Sequence, residues 1–373
     1  MSPHVIEFAF TVGCTRAVIA SEAGRGPGPQ VAAAPDIDRC IVISDARVAE
    51  LHLDGLRESL RESRVPVESL IVPPGDEHKS LGEAVRMYGR LAELNADRRT
   101  ALLAVGGGMV GDLAGFVAGT WMRGIPWINC PTTLLAMVDS CLGGKVGVNG
   151  PTGKNTIGVF HHPRLIWIDV ALLGTLPQRT YRAGLAESIK HAVALDAGFL
   201  DWHESHVEGI LAQDADTLRV LIERNLRCKA RVVAEDERET ASLTSDDSIV
   251  GRAALNLGHT IGHALEAASG YAWPHGECVA LGLVAEMDLA VTIGWLAGTD
   301  RDRVETLLFR LGLPIRAPSP FDMHDVIRRM KSDKKARHSR PRFVLPRKLG
   351  GVGWCDAVQS EQVFSSLARI APM

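Results

Sequence analysis

Between residues 40 and 107 the chain switches four times between strand-like and helix-like hydrophobic period, and this alternation limits the available folds more than any other feature. "CIVISD" (40–45) is a short apolar, β-branched run, and "VAELHLDGLRESLRES" (48–63) places apolar residues at helical spacing. "VESLIVP" (67–73) returns to a strand, "SLGEAVRMYGRLAEL" (80–94) is again helical, and "TALLAVGG" (100–107) is a third strand. Strands joined through helices must run parallel, with helices covering both faces of the sheet. "WINCPTT" (127–133) and "LIWIDV" (165–170) extend that sheet.

From about Leu176 to Ala297 the period is helical, in "LPQRTYRAGLAESIKHAVAL", "ADTLRVLIERNLRCKARVVAEDE", "GHTIGHALEAAS" and "GECVALGLVAEMDLAVTIGWL". The expected architecture is therefore an N-terminal Rossmann-like α/β domain with a parallel sheet over residues 1–176, followed by a C-terminal α-helical domain over residues 177–373. A chain of 373 residues, 46% hydrophobic, is also longer than one compact core usually needs. Two stretches read as surface loops: "GRGPGPQVAAAP" (25–36), between two strands, and "TASLTSDDSIVG" (240–251), between two helices.

The charge balance of 41 basic against 44 acidic residues, net −3, gives no excess that would favour nucleic acid or an anionic membrane surface. Seven widely spaced cysteines without a CxxC pair suit a reducing compartment. "MSPHVIEFAF" lacks the basic start and apolar core of a signal peptide, and no apolar run approaches the ~18 residues that span a bilayer. A soluble cytoplasmic protein working on small molecules is expected.

Gly106, Gly107 and Gly108 close a strand just before a helix, where the backbone can approach a pyrophosphate and helix N–H groups can meet it. The spacing is not GxGxxG. At a second strand-to-helix joint, "PPGDEHKS" (73–80), Asp76 has the chemistry to bind ribose hydroxyls and Lys79 a phosphate.

Chemistry concentrates in "RAALNLGHTIGHALEAASGYAWPHGE" (252–277). His259 and His263, four apart on a helix, share a face with Cβ atoms about 6 Å apart, and His275 adds a third imidazole. Two histidines with an acid from elsewhere suit zinc, and Glu187 is a plausible acid because Lys190 shares its helix face. Lys145, Lys154, Asn155 and Arg123 lie among glycines, and Lys334 and Lys335 lie in "SDKKARHSRPRF"; such groups commonly cradle phosphates.

Taken together, "GGGMVGDLAGFVAGTWMRGIPWINCPTTLLAMVDSCLGGKVGVN", "GKNTIGVFHHP", "GLAESIKHA", "KARVVAEDERE", "LNLGHTIGHALEAASGYAWPHGECVALG" and "DKK" resemble the 3-dehydroquinate synthases. The resemblance implies an NAD- and zinc- or cobalt-dependent enzyme of the shikimate pathway. It would convert 3-deoxy-arabino-heptulosonate 7-phosphate to 3-dehydroquinate with loss of phosphate, as a homodimer.

Carried over by position, the resemblance implies Glu187, His259 and His275 as metal ligands and moves His263 from the metal to the substrate phosphate. It implies Lys145, Asn155, Asn256, His263 and Lys334 or Lys335 as further phosphate contacts, with Arg123 reaching in from a partner subunit. Lys190, Lys229 and Arg252 would bind substrate, the last two its carboxylate. Asp139 would contact its hydroxyls, and Glu239 would accept a proton. Asp45, Asp76, Lys79, Gly107, Gly108, Asp112, Thr132, Thr133 and Lys154 would hold NAD.

Lys229 and Arg252 are 23 residues apart, a longer interval than the resemblance implies, and the excess is the polar loop. Two alternatives follow: a related sugar phosphate cyclase acting on a carboxylate-free heptulose 7-phosphate such as sedoheptulose 7-phosphate, or a metal-dependent polyol dehydrogenase. Several convergent cations argue against the second, and so many chemical groups argue against a non-catalytic binding protein.

Overall fold

The structure, a computed structural model, describes residues 4–11, 13–20, 26–151, 153–240, 251–331 and 341–372. They form two compact units: Met1–Pro177 with Ala215–Leu226, and Gln178–Asp214 with Arg227–Met373.

The first unit is built on a seven-stranded sheet. Its strands are β1 (His4–Phe10), β2 (Gly13–Ala20), β3 (Arg39–Asp45), β4 (Val67–Val72), β5 (Thr100–Gly106), β6 (Trp127–Pro131) and β9 (Leu165–Asp169), in the order β1-β2-β9-β6-β5-β3-β4. All neighbours pair in parallel except β1, which lies antiparallel on β2 as an edge hairpin. A separate hairpin joins β7 (Lys145–Gly150) to β8 (Gly153–Phe160).

β5 is buried along its whole length, as a central strand covered on both faces must be. Leu102 and Ala104 point to one core with Ile41, Ile43, Met87 and Leu91; Leu103 and Val105 point to the other with Val42, Leu53, Leu56 and Leu60. The first core is closed by α3 (Leu81–Glu93) and α4 (Gly108–Thr120), the second by α2 (Ala46–Glu62). The stretch expected as a loop at 25–36 holds one short helix, α1 (Gly28–Ala32), because Pro27 and Pro29 preset helical φ where the first-turn N–H groups need no partner.

The second unit is helical, with one small hairpin. Its helices are α5 (Gln178–Leu195), α6 (Ala197–Ser205), α7 (Val207–Leu211), the end of α8 (Ala215–Glu235), α9 (His259–Ala268), α10 (His275–Thr292), α11 (Gly298–Arg310), α12 (Met323–Lys331) and α13 (Ser360–Arg369). The hairpin pairs β10 (Phe343–Lys348) with β11 (Gly351–Cys355), Pro346 lying at its register shift.

α10 is buried from Cys278 through Met287 and organises this unit. A Cβ on Gly276 would lie 2.0 Å from the Ala183 carbonyl oxygen in α5, and one on Gly282 would lie 2.0 Å from the Gly258 carbonyl oxygen before α9. Only glycine permits backbones this close. α5, α9 and α10 are thereby locked together at the residues that flank Glu187, His259 and His275. Among the described residues no helix is long and apolar enough to cross a membrane, and all seven cysteines are free thiols.

Candidate functional site

In the second unit, Glu187 on α5 and the histidines of α9 and α10 converge. Glu187 Oε1 lies 3.2 Å from His275 Nε2 and 3.4 Å from His259 Nε2, and the candidate donor atoms of His259, His263 and His275 lie within 4.8 Å of one another. Glu187 is 1% exposed and His259 buried, whereas His263 is exposed.

The tautomers follow from the outer partners. His259 Nδ1 donates to the Leu257 carbonyl at 3.0 Å, and His275 Nδ1 donates to Glu266 Oε2 at 3.0 Å. With Nδ1–H committed, each neutral imidazole turns the lone pair of Nε2 toward Glu187 Oε1, itself an acceptor. Three acceptors that face one another need a cation between them, and carbonyl or carboxylate partners on Nδ1 are what metal-binding imidazoles have. These residues fit a divalent metal bound through one carboxylate and two imidazoles, with His263 beside it.

Without a metal, a proton on His275 Nε2 takes the place of that cation. Burial disfavours charge on His275, but hydrogen bonds and charge from Glu187 and Glu266 outweigh it and raise its pKa to about 9. Burial likewise opposes ionisation of Glu187, yet Lys190 and the two histidines hold its carboxyl well below the usual range. Burial lowers the His259 pKa despite Glu187. Lys190, 1% exposed and one turn on along α5, sets its ammonium 2.5 Å from Glu187 Oε2, so one carboxylate oxygen holds an internal cation and the other faces the imidazoles.

Arg252 and Asn256 lie in a 3-10 turn, Gly251–Asn256, that leads into α9. Arg252 is buried and its Nε donates to the Asp236 carbonyl at 3.1 Å. Lys229 is buried on α8, and Glu239, at φ +54, donates its main-chain N–H to the same Asp236 carbonyl at 3.2 Å. Residues 241–250 of the polar loop, and Lys334 and Lys335, lie outside the described residues.

In the first unit the residues assigned to NAD gather at the carboxyl ends of β3, β4, β5 and β6. The strand order reverses between β3 and β5, and in open α/β sheets ligands bind at such a reversal. Gly107 is the N-cap of α4 and contributes no side-chain cap, which leaves first-turn N–H groups for an anion. A Cβ there would come within 3.1 Å of Thr133, and Thr132 donates its N–H to the Gly106 carbonyl at 2.9 Å, so the turns after β5 and β6 are seated together.

Asp76 is ringed by Lys154 (3.1 Å), Lys79 (3.6 Å) and the Asn149 amide (3.3 Å), and Lys79 also reaches Asp112 at 3.1 Å. Burial would raise the Asp76 pKa, but the two lysines outweigh it and keep the carboxylate ionised, as a ribose diol requires. These groups fit a dinucleotide. Asp45 differs: its Oδ1 accepts from the Arg47 and Val48 N–H groups and caps α2.

Lys145, exposed at the start of β7, and Asn155, at φ +53 on β8, share one hairpin. Asp139 sits in a single π-helical turn, Ala136–Ser140, a local geometry frequent at functional sites. Arg123 is exposed in a turn with Met122, Arg123 and Gly124 all at positive φ.

Sequence reasoning missed Glu266, Glu286, Asp236 and Asn149. Glu266 was within reach: it follows His259 by seven residues, two turns down the same helix face. Glu286 stands out only as an acid inside an apolar helix, and Asp236 and Asn149 act largely through main-chain groups.

The profiles "3-dehydroquinate synthase N-terminal" and "3-dehydroquinate synthase C-terminal" match residues 69–183 and 184–336. The two matches take in most of the chain, which therefore belongs to the 3-dehydroquinate synthase family. Among solved structures it is similar to 2-deoxy-scyllo-inosose synthase complexed with carbaglucose-6-phosphate, NAD+ and Co2+, at 26% identity over 98% of this chain and 99% of that one, TM-score 0.86. It shares its fold with 2-epi-5-epi-valiolone synthase from Streptomyces hygroscopicus subsp. jinggangensis, which has NAD+ and Zn2+ bound, at 23% identity over 98% of both chains, TM-score 0.84. A glycerol dehydrogenase from Schizosaccharomyces pombe has the same fold at 18% identity over 99% of this chain and 91% of that one, TM-score 0.67.

Proposed function

We propose that the protein is a sugar phosphate cyclase, a carbon–oxygen lyase using NAD and zinc or cobalt, whose substrate is 3-deoxy-arabino-heptulosonate 7-phosphate and whose product is 3-dehydroquinate. The observation that carries the substrate assignment is the pair of buried cations, Lys229 and Arg252. A buried ammonium and guanidinium suit a carboxylate, which a neutral sugar phosphate lacks.

When bound, NAD would accept and return a hydride while the cation polarises the oxygen at the carbon being oxidised. The chain's own residues do the rest. Glu187, His259 and His275 hold the cation, and Lys190 keeps the second oxygen of Glu187 occupied. Asn256 and the exposed His263 meet the phosphate, Lys229 and Arg252 orient the carboxylate, and Glu239 accepts a proton. Asp76, Lys79, Gly107 and Gly108 hold the dinucleotide. The resemblance further supports a cytoplasmic homodimer in the shikimate pathway.

The likeness to 2-deoxy-scyllo-inosose synthase and the long interval between Lys229 and Arg252 favour a second reading, a cyclase for a carboxylate-free sugar phosphate. Phosphate release and product mass distinguish the two. With NAD and zinc present, release from 3-deoxy-arabino-heptulosonate 7-phosphate and none from sedoheptulose 7-phosphate is expected. The reverse pattern would replace the first reading by the second.

A further inference from the structure

Both histidines that face Glu187 open a helix: His259 is the first residue of α9 and His275 the first of α10. A helix N-terminus carries about half a positive charge. A divalent cation held by these two imidazoles would therefore sit beside two positive helix ends, and neither helix has a side-chain cap of its own, since the N-caps are Gly258 and Pro274.

For α9 the missing cap comes from another helix. Glu286 of α10 is 0% exposed, and its carboxylate accepts the Gly258 N–H at 2.6 Å through Oε2 and the Ile261 N–H at 3.0 Å through Oε1. These N–H groups lie on either side of His259. Gly258 itself is held at φ +77, where a Cβ would meet Leu283 of α10 at 2.9 Å. The His259 ring is oriented by Leu257, so the position of its Nε2 follows the backbone from 257 to 261. A buried carboxylate is costly unless hydrogen-bonded, and here its two bonds hold the turn that carries the ligand.

We propose that Glu286 is a positioning residue for the metal centre: it fixes the backbone on both sides of His259 and places a negative charge where the α9 N-terminus would otherwise repel the cation. Glu266 acts differently at α10, where it accepts from the ring of His275 itself. The inference rests on reading Glu187, His259 and His275 as metal ligands.

The test is titration of the metal-depleted full chain with Co2+, following the visible absorption of the bound ion, for wild type, Glu286→Gln and Glu286→Ala. Glutamine keeps the length and one acceptor but loses the charge, so a 10- to 100-fold weaker Co2+ affinity, roughly the usual effect of removing an outer partner, is expected, with a larger loss for alanine. The measurement is made below the unfolding temperature of each variant, so a lowered Tm alone does not move it. If alanine prevents folding, wild type against glutamine carries the comparison. Wild-type affinity in Glu286→Gln would overturn the role of Glu286 and leave the metal reading standing. A wild-type chain that binds no stoichiometric Co2+ would overturn both.

Discussion

At the scale of single residues, the pair Glu187–Lys190 shows how one carboxylate can hold an internal cation and still offer an oxygen to a metal. Both side chains are buried, and the ammonium occupies one oxygen while the imidazoles face the other. Removing one partner of a buried pair leaves an uncompensated charge and costs about 3–5 kcal/mol. Lys190→Met should therefore destabilise the chelator-treated protein by about 3 kcal/mol. With zinc bound the loss should be smaller, because the metal supplies the compensating charge. Urea unfolding with EDTA and with zinc measures both values, and equal destabilisation in the two conditions would show that Lys190 and the cation do not act on the same carboxylate.

At the scale of elements, Asp236 ties together the described residues on either side of the polar stretch 241–250. The Asp236 carbonyl accepts from Glu239 N–H and Arg252 Nε, and its Oδ1 accepts from Thr240 N–H at 2.7 Å. A Cβ on Gly251, at φ +75, would fall 2.2 Å from the Asp236 Cβ. One residue thus fastens both ends of the loop. Asp236→Ala keeps the main-chain carbonyl that Arg252 meets and removes the Oδ1 that holds Thr240, so KM for the carboxylate substrate should rise only a few-fold, while Asp236→Asn, which keeps an acceptor there, should stay near wild type. Steady-state kinetics of the two variants decide it, and equal behaviour of alanine and asparagine would remove the carboxylate from the argument.

This neck also marks the limit of what sequence could reveal. β3, β4 and β5 were legible because an apolar β-branched run against a helical period is a local signal. His259, His263 and His275 were legible because side-chain chemistry and spacing are written in the residues themselves, and Glu187 because a neighbouring lysine shared its helix face. Asp236 and Glu286 were not, since Glu286 meets main-chain N–H groups and Asp236 receives Arg252 on its own main-chain carbonyl, groups identical in every residue. The hairpin β10–β11 was not anticipated: the proline and glycines in "RFVLPRKLGGVGWC" interrupt any strand-like alternation, and a register shift at Pro346 is how the strand accommodates its proline.

At the scale of the whole molecule, each group of candidate ligands falls within one compact unit: Glu187, His259, His263 and His275 in Gln178–Asp214 with Arg227–Met373, and Asp76, Lys79, Gly107 and Asp112 in Met1–Pro177. A ligand stabilises only states that hold its site together, by RT ln(1 + [L]/Kd), about 2.7 kcal/mol at a hundredfold excess over Kd. Zinc added to the chelator-treated protein should therefore slow amide exchange in α5, α9 and α10, which its proposed ligands would tie to one another across long stretches of sequence. NAD should instead slow exchange at the ends of β3 and β5 and in the first turn of α4. Hydrogen exchange followed peptide by peptide reads both responses in one protein. If zinc protected β5 and α4 as strongly as α9 and α10, the metal would be stabilising a single cooperative body, and the assignment of its ligands to one unit would no longer account for its effect.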